Sequence, residues 1–297
     1  MPETTIIAEK PIFVISDLHI GDGSRKDNLS HRGREKLLYS FLEYVDRNNG
    51  ELIITGDLFE LWRHRIDVIL EERQNLLELL SGLDVTYVPG NHDSEVLPYI
   101  GSNKVPHKFF RCARHAFYRV IGPRKFKFMH GHEVDPLIPG DESNWGRIFG
   151  KVSHVLSFQT DTCILSNDGL TELFLGMGEQ ALMVWSWLSG KMNDVVQECR
   201  GAMPNERITA LVRTTRTRKM LMRYYHDRAA GLYDVAIVGH THQVGRFDDW
   251  YFNSGSWTGQ TNDFIVIRPD GNVEMFDWSQ EGARITQTLI GDSQQPE

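Results

Sequence analysis

The sequence has few cysteines, no long apolar run and no excess of positive charge. Its three cysteines are odd in number and lack metal-type spacing, so we expect reduced thiols rather than disulfides. The longest apolar runs are too short to span a bilayer. The net charge of −8 argues against wrapping of a nucleic-acid backbone, which requires clustered Lys and Arg. A nucleic-acid partner is therefore not expected.

The remaining composition is that of an ordinary globular protein, with 40% apolar and 24% charged residues. A chain of 297 residues exceeds one average domain, and we expect one α/β core that carries one insertion. Residues 1–10 lack a basic region followed by an apolar stretch, so no secretory signal is predicted. We expect a cytoplasmic protein.

The first third of the chain alternates β-rich runs with helical patterns. Strands are predicted at Ile12 to Ile15, Leu52 to Thr55 and Val85 to Val88. Apolar residues recur at helical spacing from Gly33 to Arg47 and from Ile66 to Leu80. Strand-helix-strand units of this kind imply a parallel sheet with right-handed crossovers.

The later part of the core is predicted to be more antiparallel. We expect two facing mixed sheets with helices outside, which is an α/β (α+β) architecture. The later predicted strands are Phe117 to Ile121, Phe126 to Met129, Val235 to Val238, Trp250 to Phe252, Phe264 to Ile267 and Val273 to Phe276.

In residues 139–230 the hydrophobic pattern becomes helical over long stretches, and the segment is rich in Met, Trp, Leu and Phe. Two such stretches are Leu173 to Leu188 and Ile208 to Tyr225. We predict an inserted helical cap at 139–230, a core formed by 10–138 and 231–280, and a C-terminal tail at 281–297. The apolar residues from Leu173 to Leu188 are consistent with packing in the core of the cap itself. They are also consistent with an acyl pocket or with peripheral contact with the inner face of a membrane.

Every candidate ligand directly follows a predicted strand, where loops at strand carboxyl ends gather functional side chains. Carboxylates, imidazoles and one amide suit two divalent ions such as Mn²⁺, with Fe or Zn²⁺ as alternatives. Paired metals activate water and stabilise an in-line displacement, which indicates phosphoester hydrolysis. The motifs are Asp17-Leu18-His19, Gly56-Asp57, Gly90-Asn91-His92-Asp93, His130-Gly131-His132 and Gly239-His240-Thr241-His242.

The five motifs, in this order, resemble the calcineurin-like metallophosphoesterase superfamily, over the whole core from Asp17 to His242. The resemblance implies a four-layer α-β-β-α sandwich and a dinuclear metal centre. It also implies that Asp57 bridges the two ions. One ion would be held by Asp17, His19 and His242, and the other by Asn91, His130 and His240.

The stretch from Gly56 to Trp62, the helical insertion and the stretch from Asn253 to Trp257 are similar to a narrower branch, the UDP-2,3-diacylglucosamine pyrophosphohydrolases of lipid A synthesis. That resemblance implies a lid that receives acyl chains and a Mn²⁺-activated water that attacks phosphorus of a pyrophosphate. The chain departs from the best-known members at His92 and His132, where they carry Arg and Asp. The substrate therefore stays open.

Roles for the remaining residues follow from their chemistry. His92 can donate a proton to the leaving oxygen, and we expect Asp93 to orient its ring. His132 is a candidate substrate contact, with an exposed loop histidine as the alternative. Guanidinium groups bind phosphate bidentately, although a basic helix is also an ordinary solvated face. The candidate phosphate contacts are Arg25, Arg63, Arg216 and Arg218.

These features predict a dinuclear metal-dependent phosphohydrolase that acts on a small or lipid-linked phosphoester or pyrophosphate. A general phosphomonoesterase or phosphodiesterase and a nuclease with the same metals are the alternatives. A non-catalytic scaffold of the same fold would be expected to have lost ligands, and none is missing from the motifs.

Overall fold

The structure is a computed structural model that describes residues 10–25, 27–31, 33–135, 215–259 and 261–286, without the side chains of 215–218. The chain divides into two compact units, Met1–Gly131 with Gly231–Thr288, and His132–Ala230 with Leu289–Glu297. The predicted cap falls in the second unit, where the predicted helix Leu173 to Leu188 lies outside the described residues. The boundaries of the cap and of the tail stay predictions.

Helices and parallel strands alternate at the start of the chain, as the hydrophobic periodicity predicts. The described helices are α1 (Arg34–Arg47), α2 (Ile66–Glu72), α3 (Gln74–Gly82) and α4 (Thr215–Ala229). The described strands are β1 (Ile12–Ile15), β2 (Glu51–Thr55), β3 (Val85–Val88), β4 (Phe117–Ile121), β5 (Arg124–Phe128), β6 (Val235–Val238), β7 (Gly245–Phe247), β8 (Tyr251–Asn253), β9 (Asp263–Ile267), β10 (Val273–Ser279) and β11 (Gly282–Ile285).

The strands form two mixed sheets. The first has the order β11-β10-β9-β1-β2-β3, with β1, β2 and β3 parallel and β9 to β11 antiparallel. The second has the order β4-β5-β6-β8-β7, in which β5, β6 and β8 are parallel. The prediction of an α/β fold with two mixed sheets and helices is confirmed.

Strand β1 shows how the sequence builds the layers. All four of its residues are buried, because a central strand is covered on both faces. Phe13 and Ile15 join the apolar cluster that contains residues of α1 and α3. Ile12 and Val14 point the other way and join the cluster shared with the second sheet.

Two departures from the predicted elements have clear physical causes. The helix predicted from Ile66 to Leu80 is divided at Arg73, whose buried guanidinium bonds to Asp27, the Gly21 carbonyl and Glu35. Tertiary contacts thus override a continuous helical pattern. Gly282–Ile285, assigned above to the tail, pairs with β10.

A buried carboxyl at the start of β9 gives a prediction about stability. Asp263 accepts a hydrogen bond from the Thr261 hydroxyl, but its Oδ1 has no hydrogen-bond partner. Burial raises the pKa of Asp263 to about 7. The folded state therefore holds the carboxyl proton of Asp263 more tightly than the unfolded chain does. The contribution of Asp263 to the free energy of unfolding falls as pH rises from about 4 to about 7.

Asp263→Asn removes this cost, so we expect the variant to be more stable than the parent chain by about 2 kcal/mol at pH 8. The difference should shrink toward pH 4, and urea unfolding at both pH values measures it. Asp46→Asn, on the exposed side of α1, is the matched control. A variant that is destabilised equally at both pH values would contradict the prediction.

No helix among the described residues is long and apolar enough to cross a membrane.

Candidate metal centre

The predicted ligands lie at the carboxyl ends of parallel strands. Asp17 and His19 follow β1, Asp57 follows β2, and Asn91 follows β3 in the first sheet. In the second sheet His130 follows β5, and His240 and His242 follow the adjacent parallel strand β6. Since carboxyl ends of parallel strands meet at one edge of a sheet, this topology gathers residues that are far apart in sequence.

The first predicted ligand set forms a tight group. Asp17 Oδ1 lies 3.1 Å from His242 Nε2 and 3.9 Å from His19 Nε2, and the two Nε2 atoms are 3.2 Å apart. Each of the three residues offers one ligand atom within 4.8 Å of the others. Three donors at this spacing can converge on one divalent ion.

The second predicted set lies beside the first, with Asp57 next to both. Asp57 Oδ2 lies 3.2 Å from His130 Nε2 and 3.8 Å from His19 Nε2. His130 Nε2 lies 3.1 Å from Asn91 Oδ1, and the His240 ring is 5.1 Å from the His130 ring. The structure therefore brings the seven predicted ligands to one place, and Asp57 Oδ2 lies within 4 Å of a histidine from each set.

Hydrogen bonds on the far side of two imidazoles determine which nitrogen can bind a metal. The His130 Nδ1 lies 2.8 Å from the Thr55 carbonyl oxygen, to which it must donate. The His19 Nδ1 lies 3.1 Å from Glu60 Oε2, a carboxylate that can only accept. Both bonds keep the proton on Nδ1 and leave Nε2 as the coordinating atom.

The buried carboxylates of the cluster are held in their charged form. Burial opposes ionisation of Asp17, but the neighbouring His242 lowers its pKa to about 2. Burial also opposes ionisation of Asp57 and Glu60. The histidines that surround them nevertheless hold both pKa values well below the ordinary range, with His130 the main contributor for Asp57 and His92 for Glu60. Such a concentration of buried negative charge favours the binding of cations.

One buried oxygen supports the fit of a metal directly. Asp17 Oδ2 accepts hydrogen bonds from the Ser16 hydroxyl and from the His240 backbone N–H. Asp17 Oδ1 is fully buried and has no hydrogen-bond partner. Burying a carboxylate oxygen without a hydrogen-bond donor costs free energy of folding. Asp17 Oδ1 faces His242 and His19 at the distances given above. The mixed oxygen and nitrogen donors suit Mn²⁺, Fe or Zn²⁺.

Backbone strain is concentrated at these residues. Among the described residues seven that are not glycine have positive φ, and five of them are predicted ligands. Left-handed backbone is uncommon for residues with a Cβ and persists only where surrounding contacts enforce it. The five, with φ between 48° and 71°, are Asp17, His19, Asp57, His240 and His242.

Two motif glycines permit the close approach of the ligand loops. A Cβ at Gly56 would lie 2.1 Å from His130 Nδ1. A Cβ at Gly90 would lie 2.2 Å from Asp57 Oδ1. Neither position can carry a side chain without displacing a ligand, which explains why these motifs pair a glycine with a polar residue.

The expected role of Asp93 is wrong. Its Oδ2 accepts from the backbone N–H groups of Leu58 and Phe59 and from the Tyr87 hydroxyl, and its Oδ1 accepts from the Gly90 N–H. Asp93 thus joins the loop after β2 to the loop after β3. Burial and the nearby charge of Asp57 raise its pKa to about 6.

Glu60 orients His92 instead. Its Oε1 lies 2.9 Å from His92 Nδ1, while its Oε2 lies 3.1 Å from His19 Nδ1. Although burial opposes it, contact with Glu60 raises the pKa of His92. This role of Glu60 was not predicted from the sequence, where Glu60 entered only as part of the Gly56-to-Trp62 stretch that is similar to the narrower branch. Its spacing of three residues from Asp57 was the available signal.

The loop after β8 supports the first ligand group from behind. Ser254 Oγ lies 2.7 Å from Ser16 Oγ, which in turn donates to Asp17. The Trp257 backbone N–H donates to the Asp17 carbonyl at 3.1 Å, and Thr258 Oγ1 lies 3.4 Å from His242 Nδ1. These contacts give a physical role to part of the Asn253-to-Trp257 stretch.

The predicted substrate contacts are less well defined. Arg25 is exposed in the loop after His19, and Arg63 is half-buried after the second motif. His132 belongs to the second unit, in a short turn where its Nδ1 lies 3.5 Å from Glu133. The backbones of Arg216 and Arg218 lie in α4, but their side chains lie outside the described residues. All these contacts stay predictions.

Comparison with known proteins identifies the class that this fold and site define. The sequence model of the calcineurin-like phosphoesterase family matches residues 10–244, which include every predicted ligand. The chain belongs to this family.

No curated protein matches the chain. Among solved structures, a dimetal phosphatase from Danio rerio is similar at 14% identity and a TM-score of 0.49, covering 93% of this chain and 98% of the other. A mutant form of Vps29 from Entamoeba histolytica is similar at 14% identity and a TM-score of 0.41, covering 93% and 97%. The family assignment rests on the family match alone.

Proposed function

We propose that the protein is a phosphohydrolase that depends on two divalent metal ions. The observation that carries the proposal is the position of Asp57, whose Oδ2 lies within 4 Å of one imidazole from each predicted ligand set. Family membership and the buried, ionised carboxylates support the same conclusion. Two ions in such a site would stabilise charge on phosphorus oxygens and lower the pKa of a bound water.

The residues around the ligands suit proton transfer to a leaving group. His92 Nδ1 is hydrogen-bonded to Glu60, which leaves Nε2 as the atom that can meet the substrate. Contact with the carboxylate raises the pKa of His92, which favours the protonated imidazole that a proton donor requires. We therefore assign His92 the role of proton donor to the leaving oxygen.

Our finer proposal is that the substrate is a lipid-linked nucleotide pyrophosphate such as UDP-2,3-diacylglucosamine. It is supported by the sequence Leu58-Phe59-Glu60-Leu61-Trp62 after the bridging aspartate and by the helical pattern of 139–230. We further propose Mn²⁺ as the metal, and peripheral membrane contact through the cap. Phosphomonoesters and phosphodiesters are the substrate classes against which this proposal is tested.

Metal removal and restoration test the hydrolase proposal. After chelation we expect hydrolysis to fall by at least about 10²-fold, and added Mn²⁺ to restore it. The panel should contain p-nitrophenyl phosphate, bis-p-nitrophenyl phosphate, a single-stranded oligonucleotide and UDP-2,3-diacylglucosamine. Activity that is confined to the last substrate supports the finer proposal. Activity on a simple ester alone overturns the finer proposal and keeps the hydrolase, whereas metal-independent activity overturns both.

A further inference from the structure

Trp62 contacts both residues of the Asn91–His92 pair, although it belongs to a different loop. Its indole ring lies flat on the His92 imidazole, with ring centroids 3.6 Å apart and planes inclined by 24°. Its Nε1 donates a hydrogen bond to the Asn91 carbonyl oxygen at 3.1 Å. One side chain therefore holds the backbone of a predicted metal ligand and the ring of the proposed proton donor.

The polar contacts of His92 restrain its backbone and one edge of its ring. Its backbone N–H donates to Asp57 Oδ1 at 2.9 Å, and its carbonyl accepts from the Leu61 N–H at 3.1 Å. Among the described residues, the polar contact of the ring itself is the bond from Nδ1 to Glu60. A hydrogen bond tolerates a broad range of angles, so this bond by itself lets the ring tilt about the donor–acceptor line.

The aromatic contacts oppose that tilt. The His19 ring meets His92 edge-on, with centroids 4.5 Å apart and planes at 86°. Trp62 covers a face of the imidazole at stacking distance, so rotation out of plane would drive the two rings into each other. An electron-rich indole face is also a favourable neighbour for a protonated imidazole.

The indole has little else with which to act on a substrate. Its one polar hydrogen is already donated to the Asn91 carbonyl, and an indole has no acceptor. Trp62 therefore offers a substrate no free hydrogen-bonding group, and its described hydrogen bond and ring contact are with Asn91 and His92.

We infer that Trp62 is a positioning residue that fixes the plane of the His92 ring, so that Nε2 is aimed at the leaving oxygen. The inference rests on the proposed hydrolase function. Placement within a fraction of an ångström matters for a proton donor, because general acid catalysis contributes about 10²–10⁴-fold and requires hydrogen-bond geometry.

The kinetic test compares Trp62→Leu with Trp62→Phe in the Mn²⁺-loaded full chain. Trp62→Leu should lower kcat about tenfold and leave KM and Mn²⁺ affinity within about twofold. Trp62→Phe keeps a flat ring and should recover most of the lost rate. In a His92→Ala background the same Trp62→Leu change should cost less than about twofold, because the group that it positions is gone.

Two kinetic outcomes would overturn the inference. An equal loss with and without His92 would mean that Trp62 acts on the fold or on the metal. A raised KM with unchanged kcat would mean that it binds substrate instead. Trp278→Phe is the control for loss of an indole, since Trp278 packs on Tyr44 and donates to Ser40.

A second measurement does not depend on activity. A stacked indole shifts the ring-proton NMR signals of His92 upfield; these signals are recorded on the full chain loaded with diamagnetic Zn²⁺, and His92→Ala assigns them by their loss. Trp62→Leu should abolish the shift and Trp62→Phe should retain part of it, whereas unchanged signals would overturn the inference. Because this readout needs no substrate, failure of the hydrolase proposal, seen as an inactive parent chain, is distinguishable from failure of the positioning role.

Discussion

An Asp57→Asn variant is expected to lose metal-dependent hydrolysis by at least about 10³-fold, because the stabilisation that paired metals supply amounts to several kcal/mol. Either orientation of the new amide breaks a contact. With its NH₂ at the Oδ2 position it points a donor at His130 and His19, where a metal requires a lone pair. With its NH₂ at the Oδ1 position it faces the His92 backbone N–H, so two donors oppose each other.

Metal content and thermal unfolding separate ligand loss from misfolding in this variant. We expect fewer than two Mn²⁺ per chain by elemental analysis and a smaller rise in unfolding temperature on adding Mn²⁺ than the parent chain shows. Asp46→Asn makes the same chemical change on the exposed face of α1 and should match the parent in both. An Asp57→Asn chain that binds two ions with full activity would refute the bridging role.

The ligand positions could be predicted from sequence because each motif follows a short buried strand. Ile12–Ile15, Glu51–Thr55 and Val235–Val238 are buried throughout, and that pattern marks them as central strands. Parallel pairing then brings their carboxyl ends together. The strand pattern predicts that these loops gather at one edge, and the family resemblance adds the expectation that Asp57 lies between the two ligand sets.

The support of His92 could not be predicted in the same way, since sequence adjacency says nothing about direction in a loop. Asp93 directly follows His92, yet its side chain turns toward the backbone of Leu58 and Phe59. Glu60 lies 32 residues away in the chain and reaches the ring. Local pattern identifies which loops meet, whereas side-chain direction depends on how those loops pack.

Short edge elements were also beyond the sequence pattern. Strand β7 spans Gly245–Phe247 and β11 spans Gly282–Ile285, and each pairs with one neighbour among the described strands. Three or four residues with glycine at one end give too little alternation to reveal a strand. Their pairing depends on β8 and β10, which provide the hydrogen-bonding partners.

Glu60→Gln is expected to lower kcat by about 10²-fold, the second large effect that the structure predicts. The carboxylate accepts hydrogen bonds from two imidazoles at once, His19 Nδ1 and His92 Nδ1. An amide has one oxygen, so it can accept from only one of them, and its NH₂ faces the other. The imidazole that meets the NH₂ must place its proton on Nε2.

The consequence depends on which imidazole changes tautomer, and each case has its own readout. A protonated Nε2 on His19 cannot bind a metal, so Mn²⁺ affinity would fall by about 10- to 100-fold. Loss of the bond to His92 removes the contact that raises its pKa, so the fall in activity at alkaline pH would move to lower pH. The sign follows because a proton donor is active only below its pKa.

A matched substitution and a conservative one make the Glu60 prediction sharp. Glu43→Gln changes the same group on the exposed face of α1 and should leave kcat, metal affinity and the pH profile unchanged. Glu60→Asp keeps the charge but is one methylene shorter, so we expect it to reach one imidazole and to retain an intermediate rate. If Glu60→Gln keeps the Mn²⁺ affinity of the parent chain and its activity falls at the same alkaline pH, the carboxylate does not support these two histidines.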